Sequence, residues 1–197
     1  PFCRSKCHYC NFFSMASMKY RDAFMQTLRK EIVMQSGYLE GKEVNSIYFG
    51  GGTPSLLAPD EIAGIIALLG HYHHIAGDAE ITVEANPDDI DREWAIGIAD
   101  GPVNRISLGV QSFFDEDLLS LNRVHTALQA ENAIDLIMGN GIRNISIDLI
   151  YGIPGLTTAR WEKNLNEFLS KKLPHLSAYA LTVEEHTTLH HLIRKKK

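Results

Sequence analysis

Five short apolar segments recur along the chain, each separated from the next by a longer amphipathic stretch. That alternation restricts the fold more than any other feature. Strands are predicted at Val44–Phe49, Glu80–Glu84, Arg105–Val110, Asn144–Leu149 and Leu176–Val183. Helices are predicted at Ser17–Ser36, Pro59–Tyr72, Asp91–Ala99, Ala127–Asn140 and Ala159–Lys171. Pro59-Asp60-Glu61 suits a helical first turn, Thr157-Thr158 a cap, and Gly141 a stop. Strands alternating with helices build a parallel sheet through right-handed crossovers, so the expected class is α/β. A loop carrying Cys3, Cys7 and Cys10 precedes the first predicted strand and leads into a helix. In a repeating β-α pattern a strand should stand upstream of Pro1. The expected architecture is therefore a partial (β/α)6 barrel with its first strand missing and an open side.

The 197 residues are enough for one sizeable core. A formal net charge of −5 argues against a general nucleic-acid binder, which would carry a basic footprint. No apolar run approaches the roughly 20 residues of a membrane span. The basic end, Leu192–Lys197, reads as a solvated face.

All three cysteines fall within the first ten residues. An odd number in one short loop is a poor disulfide framework and suits a reducing, cytoplasmic setting. The spacing Cys3-x3-Cys7-x2-Cys10 lets a short loop wrap an iron–sulfur cube, with three thiolates on three irons and the fourth iron open to an outside ligand. A zinc site completed by a histidine such as His8 is a second reading. His8 lies between two of the cysteines, where reaching the same metal would be strained. Three unligated thiols are the third reading.

Active sites of β-α barrels form at the C-terminal ends of the strands. Four successive predicted strands carry polar or glycine-rich groups there: Gly50-Gly51-Gly52-Thr53, Glu84, Gln111 and Asp148. The glycines allow close approach of a ligand to the backbone, although a plain tight turn would look the same. Glu84 could equally cap a helix, and Gln111 could be an ordinary loop residue. Asp148 lies within an Ile-Asp-Leu-Ile run, where an unpaired charge is costly. Arg123 offers a planar fork suited to a carboxylate. His71, His73, His74, His190 and His191 read as structural or exposed, and His125 follows the arginine motif.

The cysteine motif, with Tyr9 before its last cysteine, resembles the radical SAM superfamily signature. The stretch Pro1–Ser14 is similar to the oxygen-independent coproporphyrinogen III oxidase group, and within it to haem chaperones of the HemW type. The resemblance extends over nearly the whole chain, through Gly50–Ser55, Glu84–Pro87, Asn104–Phe113, Asn122–His125 and Asp148–Gly155. It implies a [4Fe–4S] cluster on Cys3, Cys7 and Cys10, and S-adenosylmethionine beside it, cleaved reductively to methionine and a 5′-deoxyadenosyl radical. It further implies that Gly51, Gly52, Thr53 and Glu84 receive the methionine amino group and that Arg123 pairs with the carboxylate. Gln111 and Asp148 would hold the ribose hydroxyls, and Tyr9 and Ala180 would contact adenine. The tyrosine usual six residues before the first cysteine falls upstream of Pro1.

The oxidases carry a fourth cysteine two residues after the third; here that position is Phe12. The chaperone branch has an aromatic there, although it usually has Asp where this chain has Asn11. Asp100-Gly101-Pro102-Val103 also departs from the family pattern. The resemblance thus implies a radical SAM protein of haem metabolism, with haem or porphyrin and an electron donor for the cluster as partners. The alternatives are a coproporphyrinogen III oxidase and a zinc-binding structural module. Residues 1–183 are expected to form the core. Residues 184–197 would begin a linker to a C-terminal domain that the chain lacks.

Overall fold

Strand residues of alternating character dictate how the sheet is dressed. In the third strand Ile106, Leu108 and Val110 are fully buried against helices, while Ser107, Gly109 and Gln111 face a cavity. In the fourth, Ile145, Ile147 and Leu149 take the helix side and Asp148 the cavity side. The computed structural model describes residues 1–195. Its order is α1 (Arg21–Met34), β1 (Val44–Phe49), α2 (Pro59–Tyr72), β2 (Ile75–Ala85), α3 (Arg92–Ala99), β3 (Arg105–Gln111), α4 (Asp115–Ser120), α5 (Ala127–Gly139), β4 (Asn144–Tyr151), α6 (Thr158–Ser170), β5 (His175–Ala180) and α7 (Thr188–Arg194).

The sheet has five strands in the order β1-β2-β3-β4-β5, every adjacent pair parallel. It curls into half of a barrel, as the expected partial (β/α)6 architecture requires. Helices cover the convex side. Ile62, Ile66, Trp94, Ile98, Ala130, Ile134 and Ile137 pack there on the outward strand residues. Each fully buried Ile or Leu contributes roughly 1.5–3 kcal/mol. The concave side is polar: Glu84 pairs in register with Ser107, Ser107 with Ser146, and Asp148 with Ser177. Closed β-α barrels fill that space with branched apolar side chains. Here the hydroxyl and carboxyl groups leave it suited to a polar ligand.

The anticipated caps are present. Thr157 accepts from the Arg160 backbone N–H, Pro59 opens α2, and Gly141 takes a φ of 100° just beyond α5. Thr126 adds a capping box with Gln129 at the start of α5.

Some boundaries differ from those expected. α1 begins at Arg21 rather than Ser17, because the Met15 backbone bonds to Pro1 and Cys3 and a turn at Met18 must intervene. β2 starts at Ile75, five residues early, across Gly77 and Asp78, whose low strand propensity hid the extension. β5 runs His175–Ala180 instead of Leu176–Val183. Its partner β4 ends at Tyr151, whose carbonyl still accepts from the Leu181 N–H at 2.8 Å, and Gly152 then turns away with φ 78°, so the ladder stops there. The short helices α4 and α7 were not anticipated. α7 covers part of the basic end, whose Lys196 and Lys197 lie outside the described residues. Among the described residues no helix is long and apolar enough to cross a membrane.

Candidate functional site

The cysteine loop has little regular structure, and its shape comes from anchors on three sides. Met15 N–H donates to the Pro1 carbonyl at 2.8 Å and Cys3 N–H to the Met15 carbonyl at 3.1 Å. Thr53 N–H reaches the Phe2 carbonyl at 2.8 Å, tying the loop to the end of β1. A Cβ on Gly52 would stand 2.7 Å from both the Phe2 nitrogen and oxygen, so only glycine fits there. The second anchor is the turn after α4. Asn122 Nδ2 donates to the Lys6 carbonyl at 2.9 Å, and His8 N–H donates to the Leu121 carbonyl at 3.0 Å. The third is α7, where Leu189 N–H donates to the His8 carbonyl at 2.8 Å.

Cys3, Cys7 and Cys10 are free, partly buried thiols turned to one cavity. Among the described residues no three His, Cys, Asp or Glu side chains gather tightly enough for a single metal ion. A cubane takes each thiolate on a different iron, which three separate thiols around one cavity can supply.

The cavity has a volume of about 520 Å³, in the range of small-molecule sites. Beside the three cysteines it is lined by Tyr9, Gly51, Gly52, Thr53, Glu84, Gln111, Arg123, Asp148 and Ala180, so the residues expected to hold the cluster and S-adenosylmethionine meet there, whereas Gly50 and His125 do not line it. Glu84, at the end of β2, accepts from the Tyr48 hydroxyl at 2.9 Å and from the Gly51 N–H at 3.1 Å. Burial, and then the Glu84 charge, pushes the Tyr48 phenol up to about 12, so it remains a donor. Gln111 ends β3 in the left-handed region, φ 68°, beside an irregularity in the β3–β4 register. Burial pushes the Asp148 carboxyl up to about 6; the nearby Glu84 charge adds to this, while Ser177, His175 and Arg105 oppose it. Tyr9 packs against Leu121, Ile150 and Ile153, and burial raises its phenol strongly. Phe12 stands at the cavity wall with 68% of its surface exposed.

Arg123 is held from several directions. Its Nη2 donates to Asn86 Oδ1 at 2.7 Å and to the Gly109 carbonyl at 2.8 Å, and its Nη1 to Cys7 Sγ at 3.4 Å. Its Nε is buried without a partner, an orphan donor beside the cavity of the kind an anionic ligand satisfies. His125 stands behind it, buried, with Nε2 on the Val110 carbonyl at 3.0 Å and Nδ1 3.5 Å from Arg123 Nη2. Burial, and then the Arg123 charge, lowers its imidazole to about 4. Neutral His125 therefore donates through Nε2 and accepts through Nδ1. His71, His73, His74, His190 and His191 do not line the cavity.

Two participants escaped the sequence reading. Asn86 links Arg123 to Thr53, and Tyr48 orients Glu84. The available signal was position: Asn86 directly follows β2, at the sheet end where the other polar groups collect.

A half-barrel with a polar concave face, three clustered thiols and a cavity at the strand ends defines the radical SAM architecture. Residues 1–168 match the model of the radical SAM superfamily, and the chain belongs to that family. Membership implies a [4Fe–4S] cluster and S-adenosylmethionine. The chain is 38% identical to the haem chaperone HemW of Lactococcus lactis, covering 95% of this chain and 48% of the relative. It is 37% identical to HemW of Escherichia coli, over 95% of this chain and 50% of that protein. It thus spans about half the length of these curated relatives. The solved structure of coproporphyrinogen III oxidase HemN of Escherichia coli superposes with a TM-score of 0.87 at 27% identity, covering 99% of this chain and 45% of that one.

Proposed function

We propose that the chain is the cluster-bearing core of a haem chaperone related to HemW. In this reading Cys3, Cys7 and Cys10 hold the [4Fe–4S] cluster and the adjoining cavity takes S-adenosylmethionine. The observation that carries it is the meeting of the residues expected to hold the cluster and S-adenosylmethionine in that one cavity. The physical types match the ligand group by group. Glu84, already oriented by Tyr48 and Gly51, meets the methionine ammonium. Gly52 and Thr53 bring backbone close to the same group. Arg123, with its orphan Nε, meets the carboxylate. Gln111 and Asp148 bond the ribose hydroxyls, and Tyr9 and Ala180 flank adenine. When bound, the cluster supplies the electron for reductive cleavage of S-adenosylmethionine; the chain orients the ligand and keeps water away.

The chaperone reading rests on Phe12 and on the HemW relatives. An exposed phenylalanine at the cavity wall suits packing against a flat apolar macrocycle and supplies no thiol. The likeness to HemN supports the second reading, oxidative decarboxylation of coproporphyrinogen III. We further propose that residues 1–183 form the core, onto which α7 packs through Leu189 beside the cysteine loop. Haem and an external electron donor would be the partners, and the reducing cytoplasm the setting for the thiols.

Anaerobic reconstitution tests the reading. About four irons and four sulfides per chain are expected, with the cluster lost in each of Cys3→Ala, Cys7→Ala and Cys10→Ala. Adding S-adenosylmethionine to the reduced full-length protein should change its electron paramagnetic resonance spectrum. Arg123→Ala and Glu84→Ala should each weaken binding by roughly 1–3 kcal/mol. Stoichiometric zinc without labile sulfide would overturn the cluster assignment. Robust decarboxylation of coproporphyrinogen III, or no haem binding by the full-length protein, would favour the oxidase.

A further inference from the structure

Two of the three thiols receive hydrogen bonds from side chains, and those side chains are joined to each other. Thr53 Oγ1 donates to Cys3 Sγ at 3.3 Å. Asn86 Nδ2 donates to the same Thr53 oxygen at 3.3 Å. Asn86 Oδ1 accepts from Arg123 Nη2 at 2.7 Å, and Arg123 Nη1 donates to Cys7 Sγ at 3.4 Å. The path runs from one sulfur to the other through three side chains, and every hydrogen has a consistent direction. The Thr53 hydroxyl can give its one proton to sulfur because it accepts from Asn86. Asn86 uses its amide as donor on one side and acceptor on the other.

Backbone geometry makes room for this chain. A Cβ on Gly109 would lie 3.0 Å from Gln111 Nε2 and in ordinary contact, at 3.4 Å, with Arg123 Nη2 and Asn86 Oδ1, so β3 runs directly beside these side chains. The Asn86 N–H is fixed on Ser55 Oγ at 3.1 Å, and Ser55 on Asp89 Oδ2 at 2.7 Å. Arg4 closes that end, its Nε donating to Asp89 Oδ1 at 2.6 Å.

We propose that Thr53, Asn86 and Arg123 form a brace that donates hydrogen bonds to two of the three cluster thiolates and so sets the reduction potential of the cluster. The proposal rests on the reading that the cysteines carry a cluster. A donor on a ligating thiolate draws negative charge from it. The reduced cluster, with one more electron, gains more from that donation than the oxidised one, so the potential rises. Asn86 touches neither sulfur and acts as a positioning residue: it aims the Thr53 hydroxyl at Cys3 and holds the guanidinium on Cys7.

The test uses full-length protein reconstituted anaerobically, with iron and sulfide counted per chain. The midpoint potential is then read by a redox titration followed by electron paramagnetic resonance, without S-adenosylmethionine. Thr53→Val removes the donor at constant shape and should load normally with a more negative midpoint. Thr53→Ser keeps the hydroxyl and should return the midpoint to that of the wild type. Asn86→Ala should move it in the same direction as Thr53→Val. Loaded Thr53→Val and Asn86→Ala proteins at the wild-type midpoint would overturn the proposal. So would a Thr53→Ser shift as large as that of Thr53→Val. If Thr53→Val does not load, Asn86→Ala with unchanged iron content decides by the same criterion. A wild-type protein without iron and sulfide would instead sink the cluster reading beneath it.

Discussion

Asp148 pits ligand recognition against stability. It stands on the concave face of β4 opposite Ser177, within reach of the Glu84 charge. Its carboxyl titrates at about 6 in the fold, against an ordinary value of 3.8, and desolvation is the leading cause. Above pH 6 the folded chain must therefore hold a charge that the unfolded chain holds more easily. Between the two values the folded state keeps a proton that the unfolded state has released, so stability falls as pH rises across that window. About two units at roughly 1.4 kcal/mol each give an upper figure near 3 kcal/mol, which partial contact with solvent trims to about 2–3 kcal/mol. Asp148→Asn keeps the shape and the hydrogen-bonding reach without the charge. The variant should be more stable than the wild type by that amount at pH 8, and the gain should vanish near pH 4. Urea denaturation of the cluster-free chain at both pH values measures it, and the wild-type minus variant difference removes every other titrating group. The same substitution should weaken S-adenosylmethionine binding by roughly 1–3 kcal/mol, since a charged acceptor for ribose is lost. Equal stabilities at pH 8, or a gain that persists undiminished at pH 4, would refute the reasoning.

His125 should act with the opposite slope. Its folded value of about 4 lies below the ordinary 6.5, so the unfolded chain binds the proton first and stability falls as pH drops from 6.5 toward 4. The loss should reach up to about 3 kcal/mol, and His125→Gln should flatten that limb in denaturation curves. Gly52→Ala brings a Cβ to 2.7 Å from the Phe2 backbone and should displace the cysteine loop. A cost of roughly 1–3 kcal/mol is expected from such overpacking, together with reduced iron loading on reconstitution. Gly139→Ala, where a Cβ meets nothing within 4 Å, should leave loading unchanged and serves as the control.

The sequence by itself determined the parallel α/β plan, because strand and helix periodicities are local properties of consecutive residues. It also determined the cysteine loop, whose three thiols lie within ten residues, and the polar strand ends, because parallel strands bring equivalent positions to the same edge. The tertiary structure decided how those ends engage one another. Tyr48 reaches Glu84 across 36 residues of chain, Asn86 reaches Arg123 across 37, and Arg123 reaches Cys7 across 116. Separations of that size leave no periodic trace, since each partner answers only to its own local backbone until the sheet curls. The early start of β2 through Gly77 and the end of β5 at Ala180 were hidden for the same reason: neighbouring strands, not propensity, set them. His125 shows the contrast in a single residue. Its place beside Arg123 was visible in the sequence, but its neutral form depends on burial beside a guanidinium, which only the packed structure supplies.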